Sequence, residues 1–350
     1  MADNAVRRSL YRHTPFLVVV AVYVTGGYLI LRFNELPIPY TISDTYRWPL
    51  TLTISYLLTT FLIAVVRDVL LARRRPGSRA SWDYVFSRWL GTRRLVDTLL
   101  VLSVLPALLA VMYGFRLSLT AFEPFRLDDF FMRADLFLHA GAHPWELLQP
   151  VVGHPAVTRL IDGFYVYGWF AALWLGVIWQ TVHGREPVRS QFMLTFALAW
   201  IVLGTGMAIA MSSAGPVYYG RVTGLTDPYE PLMTYLYAVD ASTPLWAVAN
   251  QQRLWASYTE WGGITAMPSM HLAIVTAVIL AGVRTHRWLV YGLAPFGLII
   301  LVGSIHLGWH YAVDSYVGIL ATALIWWCSG RFLGFWEARR PEFREAHDGA

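Results

Sequence analysis

Apolar residues along this chain gather into eight runs that approach the roughly 20 residues a helix needs to cross a bilayer core. They fall near 14–31, 48–66, 95–115, 160–182, 191–211, 269–283, 288–305 and 310–328, the sixth being short. The pattern predicts an all-α, polytopic membrane protein with about eight transmembrane helices. Polar residues concentrate between the runs, and two of these connections are long, 116–159 and 212–268. Both are rich in Pro, Gly and aromatic residues. The stretch RLDDFFMRADLFLHAGAHPWELLQPVVGHP in the first has the mixed polarity of a segment lying in the membrane interface. Together they are expected to form a lid over one face.

Composition agrees: a chain that is 56% hydrophobic, 15% aromatic and 14% charged holds more apolar surface than one soluble core can hide. The charge of +5 comes from 27 basic residues, every one an arginine. A phosphate clamp in this protein must therefore be built from arginine, histidine or backbone. The lone Cys328, in ALIWWCSG, excludes an internal disulfide and is expected to be a small buried apolar residue. The first apolar run lacks a following small-residue cleavage site and is expected to be a retained span.

Arginine placement orients the spans, because cytoplasmic segments carry the excess of positive charge. With the N-terminus inside, the inner segments hold Arg7, Arg8 and Arg12, eight arginines from Arg67 to Arg94, and eight more from Arg185 to Arg344, which makes 19. The outer segments hold eight: Arg32, Arg47, Arg116, Arg126, Arg133, Arg159, Arg221 and Arg253. This reading places both termini in the cytoplasm and both long connections outside. The inner segment 66–94 is the most basic and suits anionic headgroups, or is a plain solvated loop.

Reactive groups occur at the outer ends of two spans. Residues 262–271 read GGITAMPSMH and lead straight into an apolar run. Pro268 is expected near the first helical position, with Ser269, Met270 and His271 in the first turn, where backbone N–H groups and the positive helix end favour an anion. His271 beside such a site can exchange a proton near neutral pH. Residues 304–318 read SIHLGWHYAVDSYVG. His310 and Asp314, four apart on a helix, would share a face, with the carboxylate orienting the imidazole. Ionisable groups at membrane depth are costly and mark function. Two histidines and an aspartate read as nucleophile, general acid and orienting group. The spacing matches neither an HExxH zinc site nor a GxSxG serine hydrolase, and no metal or other cofactor is expected.

AMPSMH followed by HYAVD resembles the second and third signatures of the type 2 phosphatidic acid phosphatase superfamily, and more closely its inositol phosphorylceramide synthase and sphingomyelin synthase branch. SSAGPVYYGR at 212–221 is similar to the Gly-Pro-aromatic segment that bacterial relatives carry before the second signature. The resemblance covers residues 95–330 and implies a six-helix catalytic membrane core there. It leaves two N-terminal spans and an Arg-rich cytoplasmic loop in 1–94, and a cytoplasmic tail in 331–350.

Carried over by position, the resemblance makes His310 the nucleophile that forms a phosphohistidine, Asp314 its orienting carboxylate and His271 the acid for the leaving alkoxide. This chain departs from the phosphatase branch in having no lysine, in Gly303 and Ser304 where a Ser-Arg pair is expected, and in Met270 where a glycine is expected. Phosphate binding is then expected from Ser269, Arg221 and Arg253. His306, Asp135, His139, His143 and Asp162 are outer-face polar residues without an assigned role. The implied function is transfer of a phosphate-containing headgroup from a lipid phosphoester donor, entering from the bilayer of the cell membrane, to a lipid alcohol. Alternatives are a lipid phosphatase with water as acceptor and a non-catalytic lipid transporter or binding protein. Nucleic acid is not an expected partner.

Overall fold

The computed structural model describes residues 2–38, isolated positions between 47 and 58, 92–261 and 263–339. Most of the predicted second span and nearly all of the basic segment 66–94 lie outside the described residues. The helices are α1 (Ala2–Phe33), α2 (Thr92–Leu117), α3 (Asp128–Leu138), α4 (Pro144–Val152), α5 (Pro155–His183), α6 (Val188–Ala210), α7 (Glu230–Ser242), α8 (Trp246–Trp261), α9 (Met270–Thr285), α10 (Val290–His306) and α11 (Ala312–Ala338). No strand occurs among the described residues. Among the described residues, five helical stretches are long and apolar enough to cross a membrane: Leu10–Phe33 within α1, α5, α6, Arg287–His306 ending in α10, and α11. They mark this chain as a membrane protein. Ser103–Leu117 within α2, and α9, are apolar but shorter.

α9 is the axis of the core. It packs against α5, α6, α10 and α11, and Leu272, Ala273, Ile274, Val275, Ala277, Ala281 and Gly282 are buried along it. A helix surrounded by helices can be apolar all round. Gly318 lets α11 approach the start of α9, since a Cβ there would stand 2.6 Å from the carbonyl oxygen of Ser269. α1 lies along α2 and touches α6. Its beginning meets the far end of α11: the Tyr11 hydroxyl donates to the carbonyl of Trp336 at 2.8 Å and the two rings stack at 5.1 Å.

The long connections are structured. The first contains α3 and α4, the second a short 3₁₀ turn at Pro216–Tyr218, then α7 and α8. Phe137, on α3, is an apolar side chain that the fold leaves 87% exposed. Two sequence expectations change. Cys328 is exposed on α11 rather than buried, since an apolar residue facing lipid needs no protein cover. Pro268 does not open α9: the helix begins at Met270, and Ser269 is its N-cap, in extended backbone with ψ 106°, its N–H donating to the Asp314 carbonyl at 3.0 Å.

Candidate active site

α5 and α6 each contain a π-helical stretch, Phe164–Gly168 and Ala199–Met207. Such widened turns re-aim side chains and recur at functional sites. Here Tyr165 and Trp169 from one helix, and Trp200 and Gly204 from the other, line a cavity of about 180 Å³ at the end of the bundle where α9 begins. Tyr218, Trp246 and Trp309 from the connections complete an aromatic enclosure, and Arg116, His271 and His310 are basic side chains that line it.

His271, in the first turn of α9, is held by ring faces. Tyr165 stacks on it at 4.3 Å and Trp169 lies 4.4 Å away, tilted, with its indole N–H donating to the His271 carbonyl at 3.2 Å. The ring of His310 meets it edge-on, with centroids 6.0 Å apart and planes at 64°.

His310 precedes α11, in the turn after α10, and its own N–H donates to the carbonyl of Ser304 at 2.9 Å. Its Nδ1 lies 2.9 Å from the carbonyl oxygen of Ala266. A carbonyl only accepts, so Nδ1 carries the proton and the lone pair is on Nε2. Asp314 Oδ2 is 3.5 Å from the same Nδ1, an ion-pair distance and longer than a hydrogen bond. The expectation that the two residues share a helical face changes accordingly. Tyr311 is the N-cap of α11, and Asp314 turns back to accept the Tyr311 N–H at 3.0 Å. The Asp314 Oδ1 is buried with no hydrogen-bond partner.

The residues named from sequence separate into two groups. His271, His310 and Asp314 come together. Ser269 is fully buried with its hydroxyl unpartnered; its neighbours Pro268 and Met270 line the cavity. Arg221 instead lies over the Trp255 ring at 4.9 Å, and Arg253 is exposed and donates to Asn250 at 3.0 Å. Among the described residues, the arginine lining the cavity is Arg116, whose Nε donates to the carbonyl of Gly263 at 2.8 Å. Sequence reading counted Arg116 only as an outer charge. Its place at the end of a span facing the GGITAMPSMH segment was the available signal.

Two more carboxylates hold the segment around His310. Asp128 accepts the N–H groups of Ala214 and Gly215 at 2.9 and 2.8 Å and the Tyr311 hydroxyl at 2.8 Å. Asp135 accepts the N–H groups of Ala312 and Val313 at 2.8 and 2.9 Å, satisfying donors at the buried start of α11 that have no acceptor within the helix. Burial pushes both carboxyls above the usual range, and these N–H donors oppose the shift. The two are seven apart on α3, two turns along one face, which is the pattern that would have found them. Gly215 allows the crossing of loops here: its φ is +98° and a Cβ would stand 2.6 Å from the carbonyl of Trp309.

The remaining polar residues of this face also hold structure. His139 bonds Tyr316 at 2.9 Å, and Asp162 caps α8 through the N–H groups of Trp246 and Ala247 at 2.8 and 2.9 Å. His143 is the N-cap of α4, and His306 bonds Thr158 at 2.9 Å.

A helical membrane bundle thus encloses, at one end, two histidines and an arginine in an aromatic cavity. The model of the PAP2 superfamily matches residues 129–328, more than half of the chain, and the chain belongs to that superfamily. Among curated proteins and solved structures, none matches the chain. Membership implies lipid phosphatase or phosphotransferase chemistry in a bilayer.

Proposed function

We propose that this protein is a lipid phosphotransferase working through a phosphohistidine, with inositol phosphorylceramide synthase-like transfer of a phosphate-containing headgroup. The observation that carries the reading is the His310 Nε2 lone pair, implied by the Nδ1 bond to Ala266, in a cavity shared with His271 and Arg116.

In the first step the Nε2 of His310 attacks phosphorus in line. The P–N bond forms as the P–O bond to the leaving lipid breaks, and His271, entering protonated, gives its proton to that oxygen. The imidazole becomes cationic on phosphorylation, and the Asp314 carboxylate 3.5 Å from Nδ1 stabilises that charge. Arg116 meets the charge on the equatorial oxygens, a role that needs no metal. In the second step neutral His271 takes the proton of an acceptor hydroxyl, whose oxygen attacks phosphorus as the P–N bond breaks. Both histidines return to their starting states.

The aromatic enclosure favours a lipid alcohol over water as acceptor, since bulk water entering would hydrolyse the intermediate. In mixed micelles with a phospholipid donor, added ceramide or diacylglycerol is expected to yield a new phosphodiester in a fraction that rises with acceptor. Free phosphate or free phosphorylated headgroup as the sole product at saturating acceptor rejects transfer and leaves the lipid phosphatase. No release or transfer from any donor leaves the transporter or binding protein.

The site is proposed to face outward, on the arginine asymmetry. With Cys328 replaced by Ala, a cysteine at Ser257 should then react with an impermeant reagent in intact cells, and one at Ser78 only after lysis. The reverse labelling would place the site on the cytoplasmic side.

A further inference from the structure

The two histidines of the cavity are held by different means. His310 has the Ala266 carbonyl at its Nδ1 and the Asp314 carboxylate close behind. Among the described residues, no hydrogen bond or ion pair reaches the ring of His271, and no carboxylate lines the cavity. The charged and titratable side chains that share the cavity with it are Arg116, His310, Tyr165 and Tyr218. Asp314 of α11 is turned toward His310 and the Tyr311 N–H, and His306 of α10 bonds Thr158. A proton on His271 therefore adds a positive charge beside Arg116 with no carboxylate in the cavity to meet it.

Aromatic rings meet it instead. Tyr165 sits in the π-helical turn of α5, and its ring lies 4.3 Å from that of His271 with 17° between the planes. Trp169, directly after that turn, lies at 4.4 Å and 41°. Both distances fall inside the roughly 6 Å over which the negative face of a ring attracts a cation, an attraction that is strongest where water is excluded. Tyr165 is 1% exposed, and Gly303 of α10 makes room for it, since a Cβ there would stand 3.0 Å from the ring. The Tyr165 hydroxyl has no hydrogen-bond partner. The fold thus fixes the ring and leaves its polar tip unused, so that the face is what Tyr165 presents to His271.

We propose that Tyr165 and Trp169 are positioning residues that keep His271 in its proton-donating form, their ring faces serving it as the Asp314 carboxylate serves His310. The proposal rests on the reading of His271 as the acid for the leaving alkoxide. The imidazolium passes its proton to that oxygen as the P–O bond breaks, so turnover of a poor leaving group depends on how much of His271 enters protonated. Rings that attract the cation raise that fraction.

Kinetics of purified full-chain variants, on a phospholipid donor and on an activated aryl phosphate ester, test it. Tyr165→Phe keeps the ring face and removes only the unpartnered hydroxyl, so kcat should stay within about twofold on both substrates. Tyr165→pentafluorophenylalanine keeps nearly the same shape but withdraws negative charge from the face. Its kcat on the phospholipid should fall about three- to tenfold, while the ester, whose phenolate leaves without a proton, stays within about twofold. Trp169→tetrafluorotryptophan retains the indole N–H bonded to the His271 carbonyl and should show the same selective loss. Equal losses on the two substrates would make the rings part of packing or substrate binding and overturn the proposal, as would undiminished phospholipid turnover in both fluorinated variants. His271→Gln separates this proposal from the reading beneath it. Equal losses there mean that the acid assignment has failed and the ring proposal with it; a selective loss there, without one in the fluorinated variants, means that only the role of the rings has failed.

Discussion

The carbonyl oxygen of Ala266 stands 2.9 Å from the Nδ1 of His310, closer than either oxygen of the aspartate four residues downstream. A main-chain acceptor from the segment before α9 therefore sets the tautomer of a ring on the segment before α11. Orientation and charge therefore come from different groups. Asp314→Asn should keep the ring in place and remove only the charge that stabilises a phosphorylated imidazole. We expect kcat to fall about 10- to 100-fold, with KM little changed. A loss as complete as that of His310→Ala would make Asp314 the orienting group after all.

His310→Ala removes the proposed nucleophile, for which no neighbouring group can substitute. The protein should remain folded in detergent, judged by its elution profile, and turnover should fall by about 10³-fold or more. Activity within tenfold of wild type, the cost of a minor contact, would reject the assignment.

His271→Gln tests the proton donor. A poor alkoxide leaving group needs protonation and a phenolate does not, so the variant should lose far more activity on a natural lipid donor than on an activated aryl phosphate ester. Equal losses on the two substrates would instead make His271 a phosphate ligand.

Arg116 lines the cavity, while Arg221 lies on Trp255 and Arg253 bonds Asn250. Arg116→Ala should lower kcat by about 10²- to 10³-fold, the scale of removing one donor to transition-state charge. Arg221→Ala and Arg253→Ala should each stay within about threefold. The ranking inverted would return the phosphate-binding role to the outer loop.

Glu186, in the connection between α5 and α6, has its pKa set by opposing effects: burial raises it, but Arg189 at 2.8 Å and the Ser190 hydroxyl at 2.6 Å lower it further, so it lies below the ordinary 4.5. A carboxyl depressed in the folded state contributes stability that is present above 4.5 and is lost as pH falls through its lower folded value. Glu186→Gln removes the carboxylate charge that pairs with Arg189 in this buried site and should lower stability by about 3 kcal/mol at neutral pH. The gap in melting temperature between wild type and variant should close in acid. A gap independent of pH would mean that packing, and not charge, is what the substitution removes.

Much of this protein was legible in its sequence because a bilayer imposes strong local rules. Apolar runs long enough to span mark themselves, as α1, α5, α6, α10 and α11 show, and a histidine at a span end stands out against its surroundings. Thus His271, His310 and Asp314 could be proposed as a site from AMPSMH and HYAVD alone, and the same stretches pointed to the superfamily that the match over 129–328 shows. What local pattern cannot carry is which main-chain groups meet. Ala266, Gly263 and Ser304 act through carbonyl oxygens, which every residue possesses, so no side-chain motif announces them. Arg116, Asp128 and Asp135 belong to the site because α2 and α3 end against loops some 80 to 180 residues away in the chain. Only the packing of α9 at the centre of the bundle, with Gly318 admitting α11 to within reach of Ser269, brings those distant groups around the two histidines. That packing is a property of the whole fold, because a close approach between backbones is determined by every helix that surrounds it.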